Sequence, residues 1–465
     1  MGANSGVNML RVLGVLTTAA VMTTAYGERA TSRAAIEPAA APAIDVSALL
    51  AAARGAPPMI CGLAARSIGN GNWGWRTDAP ATPVGTAQID AGDDRDIDAL
   101  SDADVARLLD ALSSDDACVR EMSVRLVGRQ ESPRVAAPLV AKLGASDPAL
   151  RSVAALGLGL AEAQPGVDPL IRALRDDADP VRANAAWALG RIENGRALHA
   201  LEGAFEDRST LVREAAVGAV GRLESTSAVA ALLRVLQHDD AASVRRVAAW
   251  ALGHLESRES AQALASVLGR DGDARVREMA AWALGSIEQR EGSAALQHAL
   301  AQDADDRVRE TSAWALAEVE DRSSVAALDA AARNDRSSRV RGTAAWAIGQ
   351  LDDGDRNGHA PAGLLHVLKD ESDDARRKAA WALGEVRDPA TVGAIRDALK
   401  TEQNSGVRRM LVRALAKSGA GSEEAFTELL SSSDPKVREM AVRGLAGHNA
   451  FDPAPWPWPR PRPFP

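Results

Sequence analysis

The sequence predicts an all-α protein, an α-solenoid of about eleven two-helix repeats with a short helical N-terminal cap. A first observation is that arginines recur every 30 to 35 residues, and a second is that Gly or Ala follows each of them by eight residues. A period near 32 residues accommodates two short helices and two turns, so it indicates stacked copies of one unit. These anchor arginines are Arg120, Arg151, Arg182, Arg213, Arg245, Arg277, Arg309, Arg341, Arg376, Arg408 and Arg438.

Residues 1–25 have the composition of a signal peptide or membrane anchor. A single arginine precedes an apolar stretch from Val12 to Ala25, and Thr23 and Ala25 place small residues at −3 and −1 of a cleavage site. We expect an exported protein of the periplasm or cell envelope. An uncleaved anchor and a cytoplasmic chain with a mis-set start are the alternatives. Residues 26–45 form an Ala/Pro linker.

Residues 46–98 do not follow the repeat and are predicted to cap the apolar face of the first unit. The stretch "VSALLAAAR" is typical of a helix. Cys61 in this region and Cys118 in the first unit are the only cysteines. If the chain is exported, a disulfide between them would join the cap to the solenoid, whereas two buried free thiols are the alternative.

The solenoid is predicted over residues 99–449. Between Ser227 and Ile287, "SAVAALLRVLQ" predicts a first helix, "HDDAAS" a polar turn and "VRRVAAWALGHL" a second helix. Asp or Ser before each "VR" is expected to cap the second helix. With the anchor arginine counted as position 0, the apolar positions −1, +3, +7 and +10 share the side that packs on the first helix.

Position +5 carries tryptophan in six units and points away from that core. If the second helices line the concave surface, these rings form a row for a partner, flanked by charges at +1 and +9. Inter-repeat packing, with each ring over small residues of a neighbouring unit, is the alternative. The predicted partner-binding residues are Trp187, Trp250, Trp282, Trp314, Trp346, Trp381, Arg246, Glu278, Glu310 and Arg377.

The segment "DPVRANAAWALGRI" (Asp179 to Ile192) carries a resemblance to a known family. The units resemble HEAT-like repeats of the phycocyanobilin-lyase type over about residues 100 to 448. Members of that group include scaffolds, lyase subunits and hydroxylases, so the resemblance implies architecture more than activity. The deoxyhypusine hydroxylases of this fold use His-Glu pairs for iron, and the sequence contains no His-Glu dipeptide.

The sequence predicts neither catalytic residues nor a cofactor. It lacks H-E-x-x-H, a P-loop, G-x-G-x-x-G and G-x-S-x-G. Asp353, Asp355 and Asn357 match the first half of a calcium loop, but Leu364 stands where its terminal Glu belongs, and an ordinary Asp/Gly turn is the alternative. A net charge of −9 without a basic stripe argues against nucleic acid.

These observations predict a non-catalytic, monomeric interaction scaffold or sensor module that holds a protein or extended peptide in its groove. Membrane contact is expected only through an uncleaved N-terminal segment. The alternatives are a bilin-lyase-like enzyme subunit with a tetrapyrrole stacked on Trp282 and Trp314, and a glycan-binding solenoid. The Pro/Trp-rich residues 450–465 form either a disordered tail or a docking peptide with Trp456, Trp458 and Phe464.

Overall fold

The computed structural model describes residues 45–59, 61, 100–351, 359–418, 422–433 and 435–446. All of them lie in one compact unit that spans residues 44–465. Within these ranges every regular element is a helix. The expected signal segment, the Ala/Pro linker, the calcium turn at 353–357 and the Pro/Trp tail lie outside the described residues.

Helix α1 spans Val46–Ala53 and is followed by eleven helix pairs, as the anchor arginines predict. The first helices are α2 Asp102–Ala111, α4 Ser132–Lys142, α6 Val167–Ala173, α8 Leu198–Gly203, α10 Val229–His238, α12 Ala261–Arg270, α14 Ser293–Gln302, α16 Val325–Asn334, α18 Ala362–Val367, α20 Val392–Thr401 and α22 Ser422–Leu429. The second helices are α3 Ala117–Val127, α5 Pro148–Leu160, α7 Asp179–Ile192, α9 Thr210–Arg222, α11 Ala242–His254, α13 Ala274–Ile287, α15 Asp306–Glu318, α17 Ser338–Leu351, α19 Asp373–Val386, α21 Ser405–Ser418 and α23 Pro435–Leu445. Each second helix carries one anchor arginine, and successive second helices pack side by side.

The core lies between the two helices of each unit, at the positions that the helical spacing predicts. In the third unit Val181, Ala185, Leu189 and Ile192 are at most 3% exposed. These residues occupy positions −1, +3, +7 and +10. The apolar side of the second helix therefore faces its own first helix.

Glycine at position +8 lets neighbouring second helices approach closely. A Cβ on Gly190 would lie 2.6 Å from Cα of Ala219 in the next unit. Contacts of that length are sterically forbidden, so the position accepts only a small residue where the helices are this close. The periodic Gly and Ala residues thus set the packing distance between units.

Two local predictions need correction. The stretch "SAVAALLRVLQ" is not one helix, because a 3-10 turn at Thr226–Ala228 precedes α10. The expected cap is present at Asp273 of α13, whose side chain accepts from Val276 N at 3.4 Å. It is absent at α11, where Asp239, two residues before the cap residue Ala241, accepts the Ala241 amide instead.

The cap region is bound to the first unit by covalent and polar contacts. Cys61 and Cys118 form a disulfide with their Cα atoms 5.7 Å apart. The Gly55 amide donates to Asp116 Oδ2 at 2.7 Å, and Asp116 also caps α3. Helix α1 therefore covers the exposed end of the first unit. Among the described helices, none is long and apolar enough to cross a bilayer.

Candidate concave binding surface

The units are joined by a ladder of arginine–carboxylate pairs. An anchor arginine donates through Nε and Nη2 to both oxygens of a carboxylate in the following unit, at 2.7 to 3.0 Å. These pairs are Arg151–Asp176, Arg182–Asp207, Arg213–Asp239, Arg245–Asp271, Arg277–Asp303, Arg309–Asp335 and Arg376–Glu402. Arg341 reaches Asp370 through Nε at 2.5 Å. Two-pronged pairing fixes the orientation of each unit on the next.

Each ladder aspartate serves three partners, as Asp303 illustrates. Its carboxylate accepts from Arg277 and from the Asp305 amide, and its backbone carbonyl accepts from Arg309 Nη1 at 2.9 Å. Burial opposes ionisation of Asp303, but the hydrogen bonds from Arg277 and the Asp305 amide outweigh it and hold its pKa below 3.8. The N-terminal ends of successive second helices are thereby joined to one another along one side of the stack.

The tryptophan rings pack onto the glycines of the preceding unit. Cζ3 of Trp282 lies 2.9 Å from the place that a Cβ on Gly253 would occupy, and Cζ3 of Trp314 lies 2.8 Å from that of Gly285. The same relation joins Trp187 to Gly159, Trp250 to Gly221 and Trp381 to Gly349. This is the inter-repeat packing that the sequence left as an alternative, because a larger residue at +8 would displace the ring.

Three of the six rings are not available to a partner. Trp250, Trp346 and Trp381 are 6%, 3% and 4% exposed. Trp346 and Trp381 stack on each other with centroids 6.4 Å apart. Trp187, Trp282 and Trp314 are half-buried and keep part of the indole at the surface. The prediction of an exposed row is therefore wrong at Trp250, Trp346 and Trp381, although binding through the other three rings stays a prediction.

The charges predicted to flank the row lie at different depths. Glu310 is 3% exposed, so its assignment to the groove surface is wrong. It lies close to Arg339, which belongs to the second helix of the next unit. Arg246, Glu278 and Arg377 are half-buried, and Arg377 Nη2 is paired with Asp374 at 2.6 Å. These three side chains remain candidates for partner contact.

A feature that the sequence reading missed is a column of glutamates at position +11. In units two to seven this residue is Glu162, Glu193, Glu224, Glu256, Glu288 and Glu320. All six are exposed and have φ between +47° and +55°. A residue with positive φ at the end of a helix is ordinarily Gly or Asn, because the Cβ of other residues crowds the backbone in this conformation. The constant spacing of these glutamates is visible in the sequence, but their backbone conformation cannot be predicted from it.

In the N-terminal units each of these glutamates faces an Arg or His at position +9 of the following unit. Glu162 Oε1 accepts from Arg191 Nη2 at 2.7 Å. Glu224 Oε1 lies 3.5 Å from His254 Nε2, and the His254 ring stacks on Trp250 at 5.2 Å. These contacts place the +11 and +9 residues beside the tryptophans, on the groove edge at the C-termini of the second helices.

The charge balance of this edge changes in units five to seven. Position +9 holds Ser286 opposite Glu256, and Glu318 opposite Glu288. Burial raises the pKa of Glu318, and the nearby Glu288 raises it further despite a hydrogen bond from Trp314. Arg290 donates to the Glu320 backbone carbonyl at 3.4 Å. We call Glu256, Glu288, Glu318 and Glu320 the acidic rim.

The side chains on this face of the second helices are mainly aromatic and acidic. Within the described ranges, no group of three or more His, Cys, Asp or Glu side chains could hold a metal ion. What the site combines is apolar indole surface with a line of carboxylates. Such a surface can bind an apolar or cationic segment that runs across the stacked helices.

The stacked helix pairs and the arginine ladder define a helical-repeat solenoid. The chain belongs to the family of HEAT repeats, whose model matches residues 105–181, 167–253, 235–317, 294–357 and 361–446. This match confirms the resemblance inferred from the repeat motif. A comparison with curated proteins found no match.

Among solved structures, the chain is similar to yeast importin-β, with 16% identity and a TM-score of 0.53 over 74% of this chain and 56% of that one. It is also similar to importin-β in an ammonium sulfate condition, with 14% identity and a TM-score of 0.54 over 74% and 56%. The chain thus spans 56% of the length of these importins, and the likeness shows the fold. The complex of CpcE and CpcF of phycocyanin lyase from a Nostoc species matches at 24% identity and a TM-score of 0.32 over 54% of this chain and 92% of that one.

Proposed function

We propose that the chain is a monomeric, non-catalytic scaffold of the cell envelope whose concave groove binds an extended protein segment. The observation that carries this proposal is the pair Trp282 and Trp314. On successive units they keep part of each indole exposed beside the acidic rim. Tryptophan next to charge supplies the anchors that dominate protein interfaces. Arg246, Glu278 and Arg377 would add polar contacts that set the register of the segment.

The proposed location is supported by the disulfide between Cys61 and Cys118. Disulfides form and persist in oxidising compartments and are rare in a reducing cytosol. The apolar residues 12–25 provide a route of export in the sequence-based prediction.

The absence of catalysis is proposed from the sequence, which carries none of the nucleophile, metal or phosphate-loop motifs considered above. A tetrapyrrole or a glycan could also stack on the exposed indole edges. Among the residues that the structure describes, no contact favours either ligand over a polypeptide, so both serve as outcomes of the test.

The test is site-specific photo-cross-linking in an envelope extract. Benzoylphenylalanine would replace Ser286, whose Oγ donates to the Trp282 carbonyl, and in a control it would replace the exposed Ala330 of α16. We expect a discrete polypeptide adduct from position 286 and none from position 330. Equal adducts from both positions, or none from either, would contradict the proposal. A shifted visible spectrum with added bilin, or retention on peptidoglycan, would favour the alternatives.

A further inference from the structure

The acidic rim lacks the basic residue that faces each +11 glutamate at position +9 in the N-terminal units. Glu162 pairs with Arg191 and Glu224 lies near His254, whereas the +9 residues of the units after Glu256 and Glu288 are Ser286 and Glu318. Glu256, Glu288 and Glu320 thus stand in three successive units whose facing +9 residues, Ser286, Glu318 and Gln350, carry no positive charge. This run of carboxylates favours a basic occupant.

We propose that the acidic rim, together with the exposed edges of Trp282 and Trp314, holds the chain's own C-terminal segment 450–465 through Arg460 and Arg462. This inference rests on the proposed binding function of the groove and deepens it, since it makes the groove self-occupied. A partner segment would then have to displace the tail before it could bind.

The charge and the apolar side chains of the segment are complementary to those of the surface. Residues 450–465 contain one acidic residue, Asp452, and the stretch "PAPWPWPRPRPFP" that follows it carries two arginines and no acidic side chain, in a protein of net charge −9. The guanidinium groups can pair with carboxylates in two-pronged fashion and can also lie over indole faces. Trp456, Trp458 and Phe464 would supply apolar area beside the half-buried rings. Alternating proline favours an extended chain, which costs little entropy to dock.

The end of the solenoid lies on the correct edge of the groove. Helix α23 ends at Leu445, so the chain leaves the eleventh unit at the C-terminal side of a second helix. The acidic rim lies on that same side, four units back at Glu318 and Glu320. Helices pack roughly 8–10 Å apart, which makes the distance on the order of 40 Å. Arg460 follows Ala446 by 14 residues, and an extended polyproline chain of that length spans about 43 Å.

Disulfide trapping in the full chain tests the contact. Gln350, the exposed +9 residue of the eighth unit, and Pro461, between the two arginines, would be changed to Cys. The native Cys61–Cys118 pair stays intact. A control pair joins Pro461→Cys to Ala330→Cys on α16. Under mild oxidation we expect a cross-link within one chain for the Gln350 pair, at about ten times the yield of the control.

Charge reversal separates docking from random collision. Glu288→Lys with Glu320→Lys should reduce the cross-link about tenfold, as should Arg460→Glu with Arg462→Glu, and all four changes together should restore it. Yields unaffected by either reversal would overturn the proposal. So would a cross-link between two chains that grows with protein concentration, because the occupant would then be a second copy.

The photo-cross-linking experiment distinguishes failure of tail docking from failure of the proposed binding function. If the groove binds only foreign segments, the Ser286 adduct forms while trapping of the tail fails. If the tail occupies the groove, the Arg460→Glu/Arg462→Glu variant should give about tenfold more Ser286 adduct than the native chain. A groove that binds nothing gives neither signal.

Discussion

Arg277 and Asp303 form two hydrogen bonds across the boundary between the sixth and seventh units. Nε and Nη2 of the guanidinium donate to Oδ2 and Oδ1 at 2.8 and 2.9 Å, and the two side chains are 16% and 7% exposed. Because little water reaches the pair, removing one partner leaves the other charge poorly solvated. The pair therefore makes a larger contribution to stability than a surface ion pair does.

Replacing Asp303 by Asn should lower the free energy of unfolding by about 2–3 kcal/mol. The change removes the charge that Arg277 faces and weakens the turn that the carboxylate caps. Urea denaturation followed by circular dichroism measures the loss. Asp397→Asn is the control, because Asp397 is 73% exposed in its pair with Lys400 and should change stability by less than about 0.5 kcal/mol. Equal losses in the two variants would show that the ladder contributes no more than surface pairing.

The ladder also predicts acid sensitivity. Asp176, Asp207, Asp239, Asp271 and Asp303 all have a pKa below the ordinary 3.8. The unfolded chain therefore takes up these protons first as the pH falls. The stabilisation is complete above about pH 4 and is lost as the pH drops through the folded-state pKa values. Melting temperatures measured from pH 7 to pH 2 should fall steeply below about pH 4. A flat profile there would contradict the prediction.

Two glycines should respond in opposite directions to alanine. A Cβ on Gly253 would lie 2.8 Å from Cα of Ala283, so Gly253→Ala should cost about 1–3 kcal/mol by forcing two second helices apart. A Cβ on Gly269, within α12, meets nothing within 4 Å. Gly269→Ala should stabilise the protein by a few tenths to about 1 kcal/mol. The two melting temperatures, compared with that of the native chain, check both signs.

The repeat architecture was predictable because the arginine spacing and the positions −1, +3, +7 and +10 follow from helix geometry within one unit. The burial of the tryptophan rings was not predictable, because it depends on how closely Gly253 and its equivalents let the next unit approach. The ladder was partly visible. The arginines are identifiable from their spacing, and a carboxylate follows seven of them by 25 or 26 residues, but nothing in the sequence marks it as their partner. The positive φ of Glu256 could not be read, since glutamate does not favour it.

That backbone conformation gives a further prediction. Glu256 has φ +47°, so Glu256→Gly should raise the free energy of unfolding by up to about 1 kcal/mol through relief of strain. Glu259 is exposed in a neighbouring 3-10 turn and lies outside the positive-φ set. Glu259→Gly should lower stability by about 0.5–1 kcal/mol, because glycine only adds freedom to the unfolded chain there. Chemical denaturation of both variants should show opposite signs, and a loss in each would contradict the strain argument.

The cap should depend on its disulfide. Cys61→Ser opens a loop closed over a sequence separation of 57 residues, which should cost about 2–4 kcal/mol. We expect its melting temperature to match that of the native protein in dithiothreitol. Cys118→Ser should behave in the same way. A native protein whose melting temperature is unchanged by reductant would show that α1 is held by packing alone.

The sharing of each ladder aspartate between two arginines has a consequence for how such a chain can change its length. A segment cut from Asp271 to the residue before Asp303 contains one arginine donor and one carboxylate acceptor. Removing or duplicating it leaves every remaining donor matched to an acceptor, because the neighbours on both sides present the same groups. The solenoid is thus assembled from interchangeable units. Whole units can be gained or lost without any change to the residues that join one unit to the next. The length of the segment that the proposed groove can accommodate would then change in steps of one unit.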